Sequence, residues 1–140
     1  TTEVAVTTEN QHLTFNKAAA EKHCKKKWTE RGSLDQNMYR YCMGRQSEGW
    51  DKLQTLVSEN QAIDEIDQIV SFAFRKWTER DRIQYAMVAL TVDDNVEGWL
   101  NIKYALDHGE ISQGVADKCI KKWVTRTEPN FQQAFHCMEN

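Results

Sequence analysis

Apolar residues recur at spacings of three and four along most of this chain. Ile63, Ile66, Ile69, Val70, Ala73, Phe74 and Trp77 make one such stripe. Ile111, Val115, Ala116, Cys119, Ile120 and Trp123 make another. That spacing is the signature of an amphipathic α-helix. A third segment, NKAAAEKHCKKKW, is Ala-rich and ends at Trp28, with Asn16 placed as an N-cap. A return stripe follows each Trp. After Trp28 it holds Leu34, Met38, Tyr41, Cys42, Leu53, Leu56 and Val57. Gly32 is placed to end the preceding helix in the left-handed region, and Ser33 with Gln36 reads as a capping box. After Trp77 the stripe holds Ile83, Tyr85, Met87, Val88, Leu90 and Val92. A break is expected near Asp93–Gly98, before Trp99, Ile102, Tyr104, Ala105 and Leu106 resume the pattern. Pro129 suits the first turn of a short last helix. The pattern predicts an all-α fold of five to six helices. They form three tandem helical hairpins, packed either as a short repeat array or as a compact bundle.

The hairpins are copies of one another. KWTERGSLDQNMYRYCMGRQSEGW, from Lys27, aligns without a gap on KWTERDRIQYAMVALTVDDNVEGW, from Lys76. The offset is 49 residues and nine of 24 positions are identical. A third copy starts at Lys122, 46 residues further on, as KWVTRTEPNFQQAFHCMEN. Trp28 with Arg31, Trp77 with Arg80 and Trp123 with Arg126 mark the three corners. The repeats run approximately over 13–59, 60–108 and 109–140, as one domain behind a flexible arm at 1–12. A period near 46–49 residues is close to that of HEAT-type helical pairs.

This frame gives the cysteines a meaning. Cys24 and Cys42 hold the same two places around Trp28 that Cys119 and Cys137 hold around Trp123. The middle copy has Ala73 and Thr91 there. Both cysteines are thus present together twice and absent together once, as expected of a bonded pair. In a hairpin turning near Ser33, Cys24 and Cys42 fall at the same height on facing helices. Two intra-hairpin disulfides are therefore expected, Cys24–Cys42 and Cys119–Cys137, each stabilising by about 3 kcal/mol. They imply an oxidising compartment, periplasmic or secreted. The alternative is a cytoplasmic chain with reduced, buried thiols. His23 and His136 adjoin cysteines at non-equivalent places and no Cys-x-x-Cys occurs, so no metal site is expected.

Composition narrows the class without naming an activity. The 140 residues are 40% hydrophobic and 28% charged, with five Trp, which excludes a disordered chain. No apolar run is long enough for a membrane span. The sequence begins at Thr1 with no basic start followed by an apolar core, so no signal peptide is read in it; an exported chain would have lost its leader. A net charge of −3 argues against nucleic acid as a partner.

Local constellations add little chemistry. Asp93-Asp94-Asn95-Val96-Glu97-Gly98 resembles a calcium loop, but its twelfth position is Tyr104, not Glu. An acidic surface bend is the expectation. Lys25-Lys26-Lys27, Arg75-Lys76 and Lys121-Lys122 precede the corner Trp residues. Cations suit a helix C-terminus and need no ligand there. Were the three corners aligned, they would form a basic ridge able to hold a polyanion. His12, His23, His108 and His136 are scattered, and no phosphate loop or nucleophile elbow is present. No catalytic residue, cofactor or metal is assigned. The corner Trp and Arg residues are the candidates for partner contact.

The pieces Cys24…Trp28…Met38-Tyr39-Arg40-Tyr41-Cys42…Gln46 and Cys119…Trp123…Cys137-Met138 resemble a short repeat of uncharacterised bacterial proteins. That repeat reads Cys, a Trp four later, then Met-x-x-Tyr-Cys-x-x-x-Gln, and some of its carriers are exported or phage-associated. The resemblance covers about a third of the chain. It departs in a longer link from Trp28 to Met38 and in a middle copy without cysteines. It implies a bacterial helical repeat and no assigned activity. The expected function is a non-catalytic protein-binding module: an adaptor, inhibitor or immunity-type factor. A small-molecule-binding or hydrolytic site in an inter-hairpin groove is the alternative from another class. Polyanion binding through the basic ridge is the third reading.

Overall fold

A computed structural model describes residues 14–139. The arm expected at 1–12 lies outside the described residues. Six helices are present among them. Helix α1, Lys17–Trp28, begins where the Asn16 side chain accepts from the Ala19 N–H at 3.0 Å. Helix α2, Gln36–Glu59, is capped by Asp35, which accepts from the Met38 N–H at 3.2 Å. Helices α3, Ile66–Trp77, and α4, Tyr85–Asp107, lack a side-chain cap bond. Helix α5, Gln113–Trp123, is capped by Ser112, and α6, Phe131–Glu139, starts where Asn130 accepts from the Gln133 N–H.

The corners contain something the helical periodicity hides. Strands β1, Thr29–Glu30, and β2, Ser33–Leu34, form an antiparallel ribbon pairing Thr29 with Leu34 and Glu30 with Ser33. Strands β3, Thr78–Glu79, and β4, Arg82–Ile83, repeat it with Thr78 opposite Ile83. The third corner keeps one bridge, Val124 to Pro129. At the base of each ribbon a Trp carbonyl accepts a backbone N–H across the hairpin. Trp28 O accepts from Asp35 at 2.9 Å, Trp77 O from Gln84 at 3.0 Å and Trp123 O from Asn130 at 3.0 Å. Arg31 and Gly32 take φ of +54° and +79°, and Arg80 takes +57°. Two-residue ribbon loops need such values to match strand twist.

Several local expectations are corrected by these ribbons. Gly32 lies in the ribbon turn, not at a helix end, and Ser33 is in β2, so Asp35 supplies the cap. Pro129 precedes Asn130 and α6. No break occurs at Asp93–Gly98; α4 is continuous, because Asn95, Val96 and Gly98 are all buried in packing.

The hairpins stack in series. Each short helix, α1, α3 or α5, lies on its own return helix, while α2 meets α4 and α4 meets α6. Leu53, Ile69, Val70, Phe74, Tyr85, Val88 and Val92 form the fully buried centre. Both junctions use the same device. A Cβ on Gly49 would come within 2.7 Å of the Ala86 backbone, and one on Gly98 within 2.6 Å of the Phe131–Gln132 peptide. Glycine lets successive return helices touch backbone to backbone. Three residues earlier stand the two buried polar side chains, Gln46 and Asn95. Gln46 accepts from the Ala86 N–H at 3.3 Å and donates to Ile83 O at 3.1 Å. Asn95 accepts from the Phe131 N–H at 2.9 Å and donates to Thr91 O. Each amide satisfies an N–H at the start of the next return helix.

Both disulfides are present, Cys24–Cys42 and Cys119–Cys137, with Cα atoms 5.7 Å apart in each. In the middle hairpin Ala73 is fully buried, and Thr91 Oγ1 accepts from the Trp77 indole N–H at 2.7 Å. A hydrogen bond thus joins the two helices there.

Candidate functional site

The three corners were the sequence candidates. Trp28, Trp77 and Trp123 are half-buried, whereas Arg31, Arg80 and Arg126 are exposed on the turns. The cation over each ring is the preceding lysine, not the arginine. Lys27, Lys76 and Lys122 place Nζ 5.7, 5.4 and 5.5 Å from their Trp centroids. Glu30, Glu79, Asp81 and Glu128 are exposed on the same turns. Several basic groups are also tied down: Arg82 pairs with Glu79 at 3.0 Å, and Arg75 donates to Thr127 O at 2.6 Å. The corners therefore carry mixed charge.

A groove follows the outer side of α2 and α4. Its upper part, about 250 Å³, is lined by His23, Lys27, Trp28, Tyr41, Arg45 and Met87. Its lower part, about 240 Å³, is lined by Arg45, Glu48, Lys52, Met87, Ala89 and Leu90. Arg45, Ala86 and Met87 belong to both. Two large apolar side chains stand open along it, Tyr41 at 59% exposure and Leu90 at 45%. They occupy the same place in successive repeats. Lys52 is neutralised by Asp93 at 3.0 Å. That ion pair, and the helical state of Asp93, exclude the calcium-loop geometry at this segment. Among the described residues no three His, Cys, Asp or Glu side chains gather as a metal site. His23 faces cations: burial first, then Lys27 and Arg82, hold its imidazole below the usual histidine range.

A larger cavity, about 760 Å³, opens between the first two hairpins. Ala18, Ala19, Phe74 and Ile83 give it apolar walls, and Asn16, Lys22, Arg75, Thr78, Arg80 and Asp81 give it polar ones. Lys22 and Asp81 pair across it at 2.8 Å. Thr78 Oγ1 is buried with no hydrogen-bond partner among the described residues. An unmet buried hydroxyl costs about 1–3 kcal/mol. Beside the cavity, Tyr85 packs against Phe15, Trp50 and Phe74 with ring centroids 4.7–5.9 Å away. Its hydroxyl accepts from the Asn16 N–H at 2.8 Å, which fixes the start of α1 on the second repeat. Burial raises the Tyr85 phenol above its ordinary range.

Sequence reasoning missed Gln46, Asn95, Gly49 and Gly98 as the junction set. The signal was available, since a glycine kept in two copies inside a helical pattern marks close backbone approach. It also missed the Tyr41–Leu90 pairing, which the 49-residue offset contains. No family model, curated protein or solved structure matches this chain.

Proposed function

We propose that this chain is a non-catalytic protein-binding module of an exported bacterial protein, acting as an adaptor, inhibitor or immunity-type factor. Its contact face is the outer side of α2 and α4. The observation that carries this reading is the repeated exposure of Tyr41 and Leu90 along one groove. Aromatic and aliphatic anchors flanked by polar groups are what a protein interface uses for its central contacts. The Cys24–Cys42 bond adjoins Tyr41 and stiffens the face from beneath. Two disulfides also suit an oxidising compartment.

Site-specific photocrosslinking in extract of the native compartment tests this. A photoreactive residue at position 90 should trap one discrete species, and Tyr41→Ser should reduce its yield several-fold. Positions 58 and 118, which are exposed and lie outside the groove, should trap none of it. Equal yields from all three positions would defeat the reading.

A further inference from the structure

We infer that the segment seated in the outer groove is an acidic peptide, with carboxylates in the upper part, toward the first corner, and an apolar side chain lower down, against Leu90. This rests on the outer-face reading and names the chemistry of its partner. Among the described residues no carboxylate lines the upper part, whereas Lys27 and Arg45 both do. Both are exposed, and neither is in an ion pair among those residues. Tyr41 stands four residues before Arg45 on α2, so ring and guanidinium share one helix face. Beyond Arg45 the charge changes. Glu48 lines the lower part, and Lys52 is neutralised by Asp93 at 3.0 Å. Open positive charge is thus confined to the upper part, which gives a bound segment its direction. His23 senses the same field: after burial, the groups that lower its pKa are two cations, Lys27 and Arg82. Arg82 is paired with Glu79, so Lys27 and Arg45 are the charges open to a partner.

The middle repeat shows which of these residues the architecture requires. The Lys-Trp pair recurs there as Lys76 and Trp77, so it belongs to the corner itself. His23 and Arg45 are replaced by Phe72 and Asp94, and Lys76 lies over the Phe72 ring as well. The same hairpin is therefore built without a cation at the place of Arg45. Arg45 also lies in mid-helix, beyond the terminal dipole that accounts for the corner lysines. What it offers is a planar fork that takes a carboxylate in two parallel hydrogen bonds, beside an exposed aromatic ring. Arg and Tyr are residue types that dominate binding energy at protein interfaces. The net charge of −3 opposes a long polyanion, so two open cations suit a short acidic segment.

A random-peptide phage library, selected in parallel on the full chain and on its Arg45→Asp variant, tests this. That variant carries the middle repeat's residue at an exposed position, and its amide NMR spectrum checks that it is folded. Clones specific to the unaltered chain should be enriched in Asp and Glu beside a Leu, Met or aromatic residue. As synthetic peptides they should shift the Tyr41, Arg45, Met87 and Leu90 amides saturably. Arg45→Asp should weaken the best peptide about tenfold or more, and Lys27→Gln a few-fold. Arg45→Lys should recover part of the loss, since lysine supplies the charge without the fork. Lys118→Glu, an equal change of charge outside the groove, should leave the affinity within about twofold, because salt screens a distant charge. Groove-binding peptides without acidic enrichment overturn the inference and leave the protein interface standing. So does unchanged binding to Arg45→Asp. Heparin that binds the groove as tightly as the best peptide overturns it in favour of a polyanion. If no peptide maps to the groove the inference fails, and the crosslink from position 90 decides separately whether the face binds a protein.

Discussion

The middle hairpin and the two outer ones solve the same problem differently. Helix α3 buries Ile66, Ile69, Val70, Ala73 and Phe74. Its counterpart α1 buries only Ala19, Ala20 and Cys24, and α5 only Ala116 and Cys119. Among the return helices, α4 buries nine residues where α2 buries four. Position in the stack explains this. The middle hairpin has a neighbour on each side, whereas each outer one meets a neighbour on one side only. Four large side chains buried on α3 are worth about 1.5–3 kcal/mol each. A disulfide closing a short loop is worth about 3 kcal/mol. Each outer hairpin thus regains, through its bond, roughly one or two core residues' worth of stability. The middle hairpin needs no such bond, and Thr91 spends its position on the Trp77 indole instead.

The largest test of this contrast removes the bonds. Cys24→Ser with Cys42→Ser, or the same change at Cys119 and Cys137, should each cost about 3 kcal/mol in a urea melt. Native-state hydrogen exchange should then show the altered hairpin opening first, with α3 and α4 still protected. A uniform loss of protection, middle hairpin included, would mean that the stack has one cooperative core and that the contrast is only compositional. Mass measurement after alkylation without reduction checks the starting point: no free thiol should be labelled among the four cysteines.

Next in size are the junctions. Gly98→Ala pushes a Cβ to 2.6 Å from the Phe131 peptide, and Gly49→Ala pushes one to 2.7 Å from Ala86. Backbone cannot yield as a flexible side chain does, so each should cost about 1–3 kcal/mol. Gly98→Ala should loosen α6 without opening the first hairpin. Gly44→Ala is the control, since a Cβ there meets nothing within 4 Å. It should be neutral or slightly stabilising, as alanine is the better helix former.

How much of this was legible in the residues depends on range. Helix positions followed from apolar spacing, and the disulfide pairing from the joint absence of both cysteines in the middle copy. The ribbons were not legible, because at most four paired residues per corner are too short for an alternation to register. Ser33 and Gly32 carry capping chemistry and ribbon-turn chemistry alike, so local reading could not separate the two. Asp93–Gly98 reads as polar and glycine-containing, which is also how a loop reads. In the fold, Asn95 and Gly98 are there because another helix end arrives, and that partner lies over thirty residues away at Phe131. The inter-hairpin cavity is a product of the stack, so no single repeat announces it.

A smaller effect probes what replaced the disulfide. Thr91→Val keeps the shape of the side chain but strands the Trp77 indole N–H, now bonded at 2.7 Å. The expected loss is about 1 kcal/mol by urea melt, with a change in Trp fluorescence. Losing as much as an outer disulfide would show that the middle hairpin depends on its polar lock as much as on its core.

The smallest expected effect separates the hairpins by pH. His23 occupies the place that Phe72 holds in the middle repeat, so the same helical position is titratable in one copy and apolar in the other. Burial, Lys27 and Arg82 lower the folded-state pKa of His23 from its ordinary 6.5. The unfolded chain therefore binds the proton first as pH falls, and stability drops once pH passes below about 6.5. At higher pH both states are neutral and the group contributes no slope. The drop should be confined to the first hairpin, read as faster amide exchange in α1 at pH 5.5 than at pH 7.5 after correction for intrinsic rates. His23→Phe, which installs the middle repeat's residue, should remove that local difference and leave α3 and α5 unaffected. If α1 loosens equally in the variant, His23 is not the source; Asp81 on Lys22 cannot replace it, because that lysine holds its pKa below the usual carboxylate range and it stays ionised across this window.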